Sequence, residues 1–125
     1  MAEPKKRILV VEDDPSVRRL LQVGLRLQFE VELAENGAVA LARVSRPPLV
    51  DLIICDVMMP ELSGFDFVRR LRLIPEARGV PFIFLTARNE PAGAIEGIRL
   101  GARQYITKPF KVDDLVRKVQ KLLRV

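Results

Sequence analysis

Three short, unbroken apolar runs decide most of what this chain can fold into. Ile8-Leu9-Val10-Val11, Leu52-Ile53-Ile54-Cys55 and Phe82-Ile83-Phe84-Leu85 are rich in branched and aromatic side chains, and no polar residue alternates through them. A strand with one face in water alternates apolar with polar. A strand apolar at every position is covered on both faces, as in a parallel sheet between two layers of helices. The intervals carry helical spacing instead: Val17, Leu20, Leu21, Gly24 and Leu25; Ala38, Leu41 and Ala42; Phe65, Val68 and Leu71; Ile95 and Ile98; Val112, Leu115, Val116, Val119, Leu122 and Leu123. Repeats of three and four residues gather these side chains on one face of each helix.

The residues between the patterns agree with this alternation. Asp14 before Pro15 is an N-cap followed by proline at the first helical position, Asn36-Gly37 can open the second helix, and Ser63 with Asp66 resembles a capping box. Pro47-Pro48 breaks the second helix, and Gly101 stands where the fourth should close. The weaker segments Val31 to Ala34 and Gln104 to Thr107 fill the remaining strand positions. Five strand-helix repeats predict an α/β fold with a parallel five-stranded sheet, helices on both faces and right-handed crossovers. No linker, repeat or low-complexity tract interrupts the 125 residues, so residues 1–125 are read as a single domain.

Composition removes whole classes of chemistry. The chain has no histidine and one cysteine, Cys55, which excludes zinc sites, Cys-His nucleophiles, Ser-His-Asp triads and internal disulfides. The basic lead Met1 to Arg7 runs into an apolar stretch too short for a secretory signal, and no run approaches the roughly 18 apolar residues of a membrane span. A soluble cytoplasmic protein is expected. The net charge of +5 is unevenly placed: residues 99–125 hold eight lysines and arginines against Asp113 and Asp114, a net +6, while the first 98 residues sum to −1. Such a segment can attract an acidic protein or nucleic acid, or can simply be a solvated helix face.

In parallel α/β sheets the ligand site lies beyond the carboxyl ends of the strands. There the first strand runs into Glu12-Asp13-Asp14, the third into Asp56, the fourth ends at Thr86, and the fifth leads into Lys108-Pro109. Taken singly, each has a structural reading: Asp14 as the helix cap, Glu12 or Asp13 favouring the helix dipole, Asp56 as a loop aspartate, Thr86 as a strand-end hydroxyl, Lys108 as a solvated amine. Taken jointly, they converge if the first and third strands are neighbours. Carboxylates about 4 to 5 Å apart repel by roughly 3 to 4 kcal/mol at an effective dielectric of 20, so the cluster calls for a cation. Oxygen donors without imidazole or thiolate favour a hard ion such as Mg²⁺, and Mg²⁺ beside open coordination positions suits phosphoryl chemistry.

Four motifs, in order, resemble the receiver domain of two-component response regulators: Ile8-Leu9-Val10-Val11-Glu12-Asp13-Asp14-Pro15; Asp56-Val57-Met58-Met59-Pro60 with Gly64; Leu85-Thr86-Ala87; and Tyr105-Ile106-Thr107-Lys108-Pro109-Phe110. The resemblance runs from Ile8 to about Leu123. It implies a flavodoxin-like (βα)5 sandwich with strand order 2-1-3-4-5. Asp56 would be the phosphoacceptor, attacking the phosphohistidine of a sensor histidine kinase or phosphotransfer protein. Mg²⁺ would be held by Asp13, by Glu12 through water, by Asp56 and by the Met58 backbone carbonyl. Lys108 and Thr86 would contact the phosphoryl oxygens, and Thr86 and Tyr105 would form the switch. The Lys108-Pro109 bond would be cis. The resemblance also implies a signalling domain that catalyses only its own phosphorylation and dephosphorylation, and it suits a stand-alone regulator as well as the receiver part of a longer transcription or output regulator.

The output surface expected from the resemblance is that of the fourth helix, fifth strand and fifth helix. Because much of the positive charge falls there, it is expected to dock an acidic effector or output domain, or to mediate a phosphorylation-dependent homodimer. Met58 and Arg88, each two residues beyond a site residue, are expected to obstruct water and lengthen the life of the acyl phosphate. Three other readings compete. A basic nucleic-acid module fits the charge but has little aromatic interleaving, so no direct nucleic-acid or membrane contact is expected. A flavin carrier shares the architecture without explaining the acids, and an aspartate-nucleophile phosphatase usually has a second aspartate where this chain has Met58.

Overall fold

The computed structural model describes residues 4–125, so Met1, Ala2 and Glu3 of the basic lead lie outside the described residues. Five strands, β1 (Arg7–Val11), β2 (Glu30–Ala34), β3 (Leu52–Cys55), β4 (Phe82–Thr86) and β5 (Gln104–Thr107), alternate with five helices, α1 (Pro15–Leu25), α2 (Gly37–Val44), α3 (Gly64–Leu71), α4 (Pro91–Arg99) and α5 (Val112–Leu123). All pairings are parallel and the order is β2-β1-β3-β4-β5, so the flavodoxin-like arrangement expected above is the one observed.

The unbroken apolar runs are explained by two separate cores, one on each face of the sheet. Ile8, Val10, Leu52, Ile54, Ile83 and Leu85 pack with Leu21 and Leu25 of α1 and with Leu115 and Val119 of α5. The alternate residues Leu9, Val11, Ile53, Cys55, Phe82 and Phe84 pack with α2 and α3. Each fully buried branched or aromatic side chain contributes about 1.5–3 kcal/mol, so neither layer can be stripped without exposing a face of β1, β3 and β4.

The helix starts follow the local signals. The Asp14, Asn36 and Ser63 side chains accept hydrogen bonds from the amides of Ser16, Val39 and Asp66. α4 stops before Gly101, whose φ of +102° lies in the left-handed region that glycine tolerates. Lys108-Pro109 is cis, as the resemblance implied, and Pro47-Pro48 is cis as well.

Three apolar stripes differ from the sequence reading. In α2 the buried residues are Gly37, Ala40, Arg43 and Val44, whereas Ala38 and Ala42 face water. In α1 Leu20 is exposed. In α4 Ile95 and Ile98 are both more than half exposed, and the inward face is made by Gly93 and Gly97. A Cβ on Gly97 would lie 2.7 Å from the Tyr105 ring, so β5's tyrosine occupies the space that apolar side chains of α4 would need.

Candidate functional site

Strand register brings the acids together. Val11 of β1 pairs with Cys55 of β3, and the Asp56 amide donates to the Val11 carbonyl at 3.0 Å, so the residues that follow the two strands emerge side by side. One carboxylate oxygen from each of Glu12, Asp13 and Asp56 lies within 4.8 Å of the others. Glu12 and Asp56 are buried, at 2% and 6% exposure, and Asp13 is open to solvent. The Arg18 guanidinium donates to the main-chain carbonyls of Glu12 (2.8 Å) and Asp13 (3.0 Å), tying α1 to this corner.

Lys108 reaches the acids from β5. Its Nζ lies 2.5 Å from Glu12 Oε1 and 3.3 Å from Asp56 Oδ2. Burial lifts the Glu12 carboxyl from 4.5 to about 7; the Lys108 hydrogen bond opposes the rise and the Asp56 charge adds to it. Burial alone would lower the Lys108 ammonium, but the Glu12 hydrogen bond and the Asp56 charge outweigh it and hold the group above its ordinary value. One cation against three carboxylates leaves the corner net negative.

The Asp56 side chain is oriented from two sides, since Oδ1 accepts from the Met58 amide at 3.1 Å while Oδ2 faces Lys108. The loop after it turns tightly: the Gly64 amide donates to the Val57 carbonyl at 2.9 Å, and a Cβ on Gly64 would overlap the Asp56 carbonyl oxygen. Cys55 is fully buried, and burial pushes its thiol well above the usual range. It stays a protonated packing group.

Thr86 closes the site on the β4 side and is fully buried. Its Oγ1 accepts from the Arg88 amide at 3.1 Å, while the Tyr105 hydroxyl donates to the Arg88 carbonyl at 2.8 Å. Tyr105 is half-buried, with its ring 6.2 Å from that of Phe84, and burial raises its phenol. The Arg88 side chain pairs with Glu90 and lies over the Phe65 ring at 5.2 Å, so its cation is drawn toward α3 and α4. The Met58 side chain is 59% exposed.

Every residue singled out in the sequence thus lies at one end of the sheet, with Tyr105 linked to it through residue 88. The carboxylates, ammonium and hydroxyl match an oxygen-ligating, phosphoryl-binding pocket. A profile of the response regulator receiver domain matches residues 8–120. The chain belongs to the response regulator receiver family. The role of this family is to be phosphorylated by histidine kinases in two-component signalling, as a signalling domain rather than a conventional enzyme.

Relatives give the same assignment. The phosphate regulon transcriptional regulatory protein PhoB of Rhizobium meliloti is 40% identical over 119 residues, covering 94% of this chain and 52% of that protein. A putative response regulator of Chloroflexus aurantiacus superposes with a TM-score of 0.88 at 34% identity, covering 98% of this chain and all of that one. The receiver domain of the Pseudomonas aeruginosa sensor histidine kinase PA1611, described with magnesium in its active-site cleft, has a TM-score of 0.86 at 31% identity, covering 97% and 99% of the two chains. The chain spans about half the length of the transcriptional regulators it matches.

Sequence reasoning missed Arg18, the main chain of residue 88 and the glycine seat under Tyr105. All three rest on main-chain atoms or long-range packing, which the residue pattern does not display. Among the described residues no helix is long and apolar enough to cross a membrane.

Proposed function

We propose that this receiver domain accepts one phosphoryl group on Asp56 from the phosphohistidine of a sensor kinase or phosphotransfer protein. The observation that carries the reading is the corner of Glu12, Asp13 and Asp56 with a single ammonium, Lys108, reaching in. An all-oxygen donor set with a surplus of negative charge fits Mg²⁺, which Asp13, Asp56 and the Met58 carbonyl would hold directly and Glu12 through water. When bound, the ion supplies charge neutralisation for the phosphoryl oxygens.

The chain's own groups do the rest. An ionised carboxylate needs no base, so Asp56 can form the new O–P bond as the N–P bond breaks and its electron pair returns to the imidazole. The Met58 amide and Lys108 fix the carboxylate, and Lys108 can turn from Glu12 to a phosphoryl oxygen as charge builds there. Gly64 keeps the loop close without blocking approach.

Thr86 Oγ1 accepts a hydrogen bond in this structure and has its proton left to donate. Turning that hydroxyl to a phosphoryl oxygen releases the Arg88 amide, and the same peptide segment holds Tyr105. Phosphorylation then shifts the population of two arrangements of the β4–α4 loop and Tyr105, and with it the surface of α4, β5 and α5 read by a downstream effector or output domain. The test is incubation with Mg²⁺ and acetyl phosphate followed by intact mass. One added phosphoryl group, absent in Asp56→Asn, is expected; labelling that persists in Asp56→Asn refutes the assignment.

A further inference from the structure

The turn from β1 into α1 carries two of the three acids of the corner, and its main chain is held by a single residue. The carbonyl oxygens of Glu12, Asp13 and Asp14 all accept hydrogen bonds from Arg18: Nη1 donates to Glu12 at 2.8 Å and to Asp13 at 3.0 Å, and the Arg18 amide donates to Asp14 at 3.0 Å. Glu12 has a second anchor, because its amide donates to the Ala34 carbonyl at 3.0 Å. Asp13 has none: among the described residues the Arg18 contact is the one hydrogen bond that its main chain forms.

Asp13 is also the exposed member of the three acids. Like charges close together repel, so a loose turn would swing its carboxylate into water, away from Glu12 and Asp56. A guanidinium that joins two successive carbonyls removes that freedom. Its support is rigid, since Leu21 and Leu25 of the same helix are buried in the core, and the Arg18 cation is free for this contact because it pairs with no carboxylate among the described residues. Mg²⁺ demands near-ideal octahedral geometry, so its affinity is sensitive to where each oxygen is held.

We propose that Arg18 is the positioning residue for the divalent cation: by clamping the Glu12 and Asp13 carbonyls it keeps the Asp13 carboxylate beside Asp56 before an ion arrives. This rests on the Mg²⁺ reading given above and adds to it a residue that is not itself a ligand. Two effects of Arg18 on the ion have opposite sign. Its charge, beside a corner that must attract a cation, works against binding, whereas its hydrogen bonds lower the cost of ordering the turn. The clamp outweighs the charge, because the turn has so little else to hold it.

The probe is Mn²⁺, another hard ion that oxygen donors suit, titrated into the unphosphorylated chain and read by the loss of the free-ion electron paramagnetic resonance signal. Arg18→Met, which keeps an apolar stem without donors or charge, should weaken binding about tenfold. Arg18→Lys keeps the charge on a shorter stem that lacks the guanidinium fork and should weaken it in the same direction. Arg19→Met, which removes a neighbouring exposed cation, should leave binding unchanged or slightly tighter. Urea unfolding in a chelating buffer reports the fold separately; should Arg18→Met not fold, Arg18→Lys carries the test. Binding that is tighter in Arg18→Met, or unchanged in Arg18→Lys, overturns the proposal, as does a loss of stability with affinity intact. A parent chain that takes up no Mn²⁺, or takes it up equally well as Asp13→Asn, overturns the metal reading and this inference with it, whereas loss in Asp13→Asn with full binding in both Arg18 variants overturns the role of Arg18 alone.

Discussion

Replacing Glu12 with glutamine should stabilise the fold, by an amount that depends on pH. Glu12 is 2% exposed and sits against Asp56, and its carboxyl titrates near 7 in the folded chain against 4.5 for the free side chain. A raised carboxyl binds its proton more tightly in the folded state than in the unfolded one. Its contribution is therefore fully present below about pH 4.5 and is lost as pH rises to about 7. The difference of roughly two and a half units at 1.36 kcal/mol each is about 3 kcal/mol. Glutamine keeps the size of the side chain and an oxygen for Lys108 but cannot ionise, so Glu12→Gln should match the parent below pH 4.5 and exceed it by about 3 kcal/mol at pH 8. With an m-value of about 1.5 kcal/mol/M, the urea midpoint at pH 8 moves up by about 2 M. The assay is urea unfolding followed by circular dichroism, in a chelating buffer, at several pH values between 4 and 8. Adding millimolar Mg²⁺ should narrow the gap by stabilising the parent. A gap that is flat with pH, or a variant less stable at pH 8, would refute the reasoning.

Further expectations follow from single contacts. Arg43 is buried in α2 and holds Glu32 of β2 through two hydrogen bonds together with the Arg46 and Pro48 carbonyls; Glu32 keeps Arg7 and some solvent, so Arg43→Ala should cost about 2–3 kcal/mol in denaturant unfolding. The hydrogen bond from Arg43, aided by Arg7, holds the Glu32 carboxyl below its usual range. That pair therefore stabilises the fold above about pH 4.5 and loses its contribution as pH falls further, a decline that Arg43→Ala should abolish in acid titrations. Gly64→Ala forces a Cβ onto the Asp56 carbonyl oxygen, and acetyl phosphate labelling should slow by about tenfold or more while far-ultraviolet dichroism is retained. Unchanged labelling would show that the loop can yield without moving Asp56.

How much of this could be read from the residues depends on the range of the interaction. The β1, β3 and β4 runs were legible because burial on both faces is written into four consecutive positions. Asp14, Asn36 and Ser63 were legible because a cap is satisfied within three residues. Glu12, Asp13, Asp56, Thr86 and Lys108 follow from strand ends and motif resemblance together, and strand register places them. Ile95 and Ile98 misled because the inward face of α4 is decided by the Tyr105 ring of another strand. Ala38 and Ala42 misled because Arg43, which looks like a surface residue, points inward toward Glu32 and turns α2 with it. Arg88 was singled out for its side chain, but the part its main chain plays was invisible, because an amide and a carbonyl carry it and every residue but proline has both.

That last contact separates two kinds of freedom at one position. Thr86 and Tyr105 both end on the main chain of residue 88, so the hydrogen bonds that join the strand-end hydroxyl to the tyrosine do not depend on which side chain hangs there. Arginine can be exchanged to adjust neighbouring charge or access without removing either hydrogen bond. Proline alone, lacking the donor, would remove the one at the threonine end.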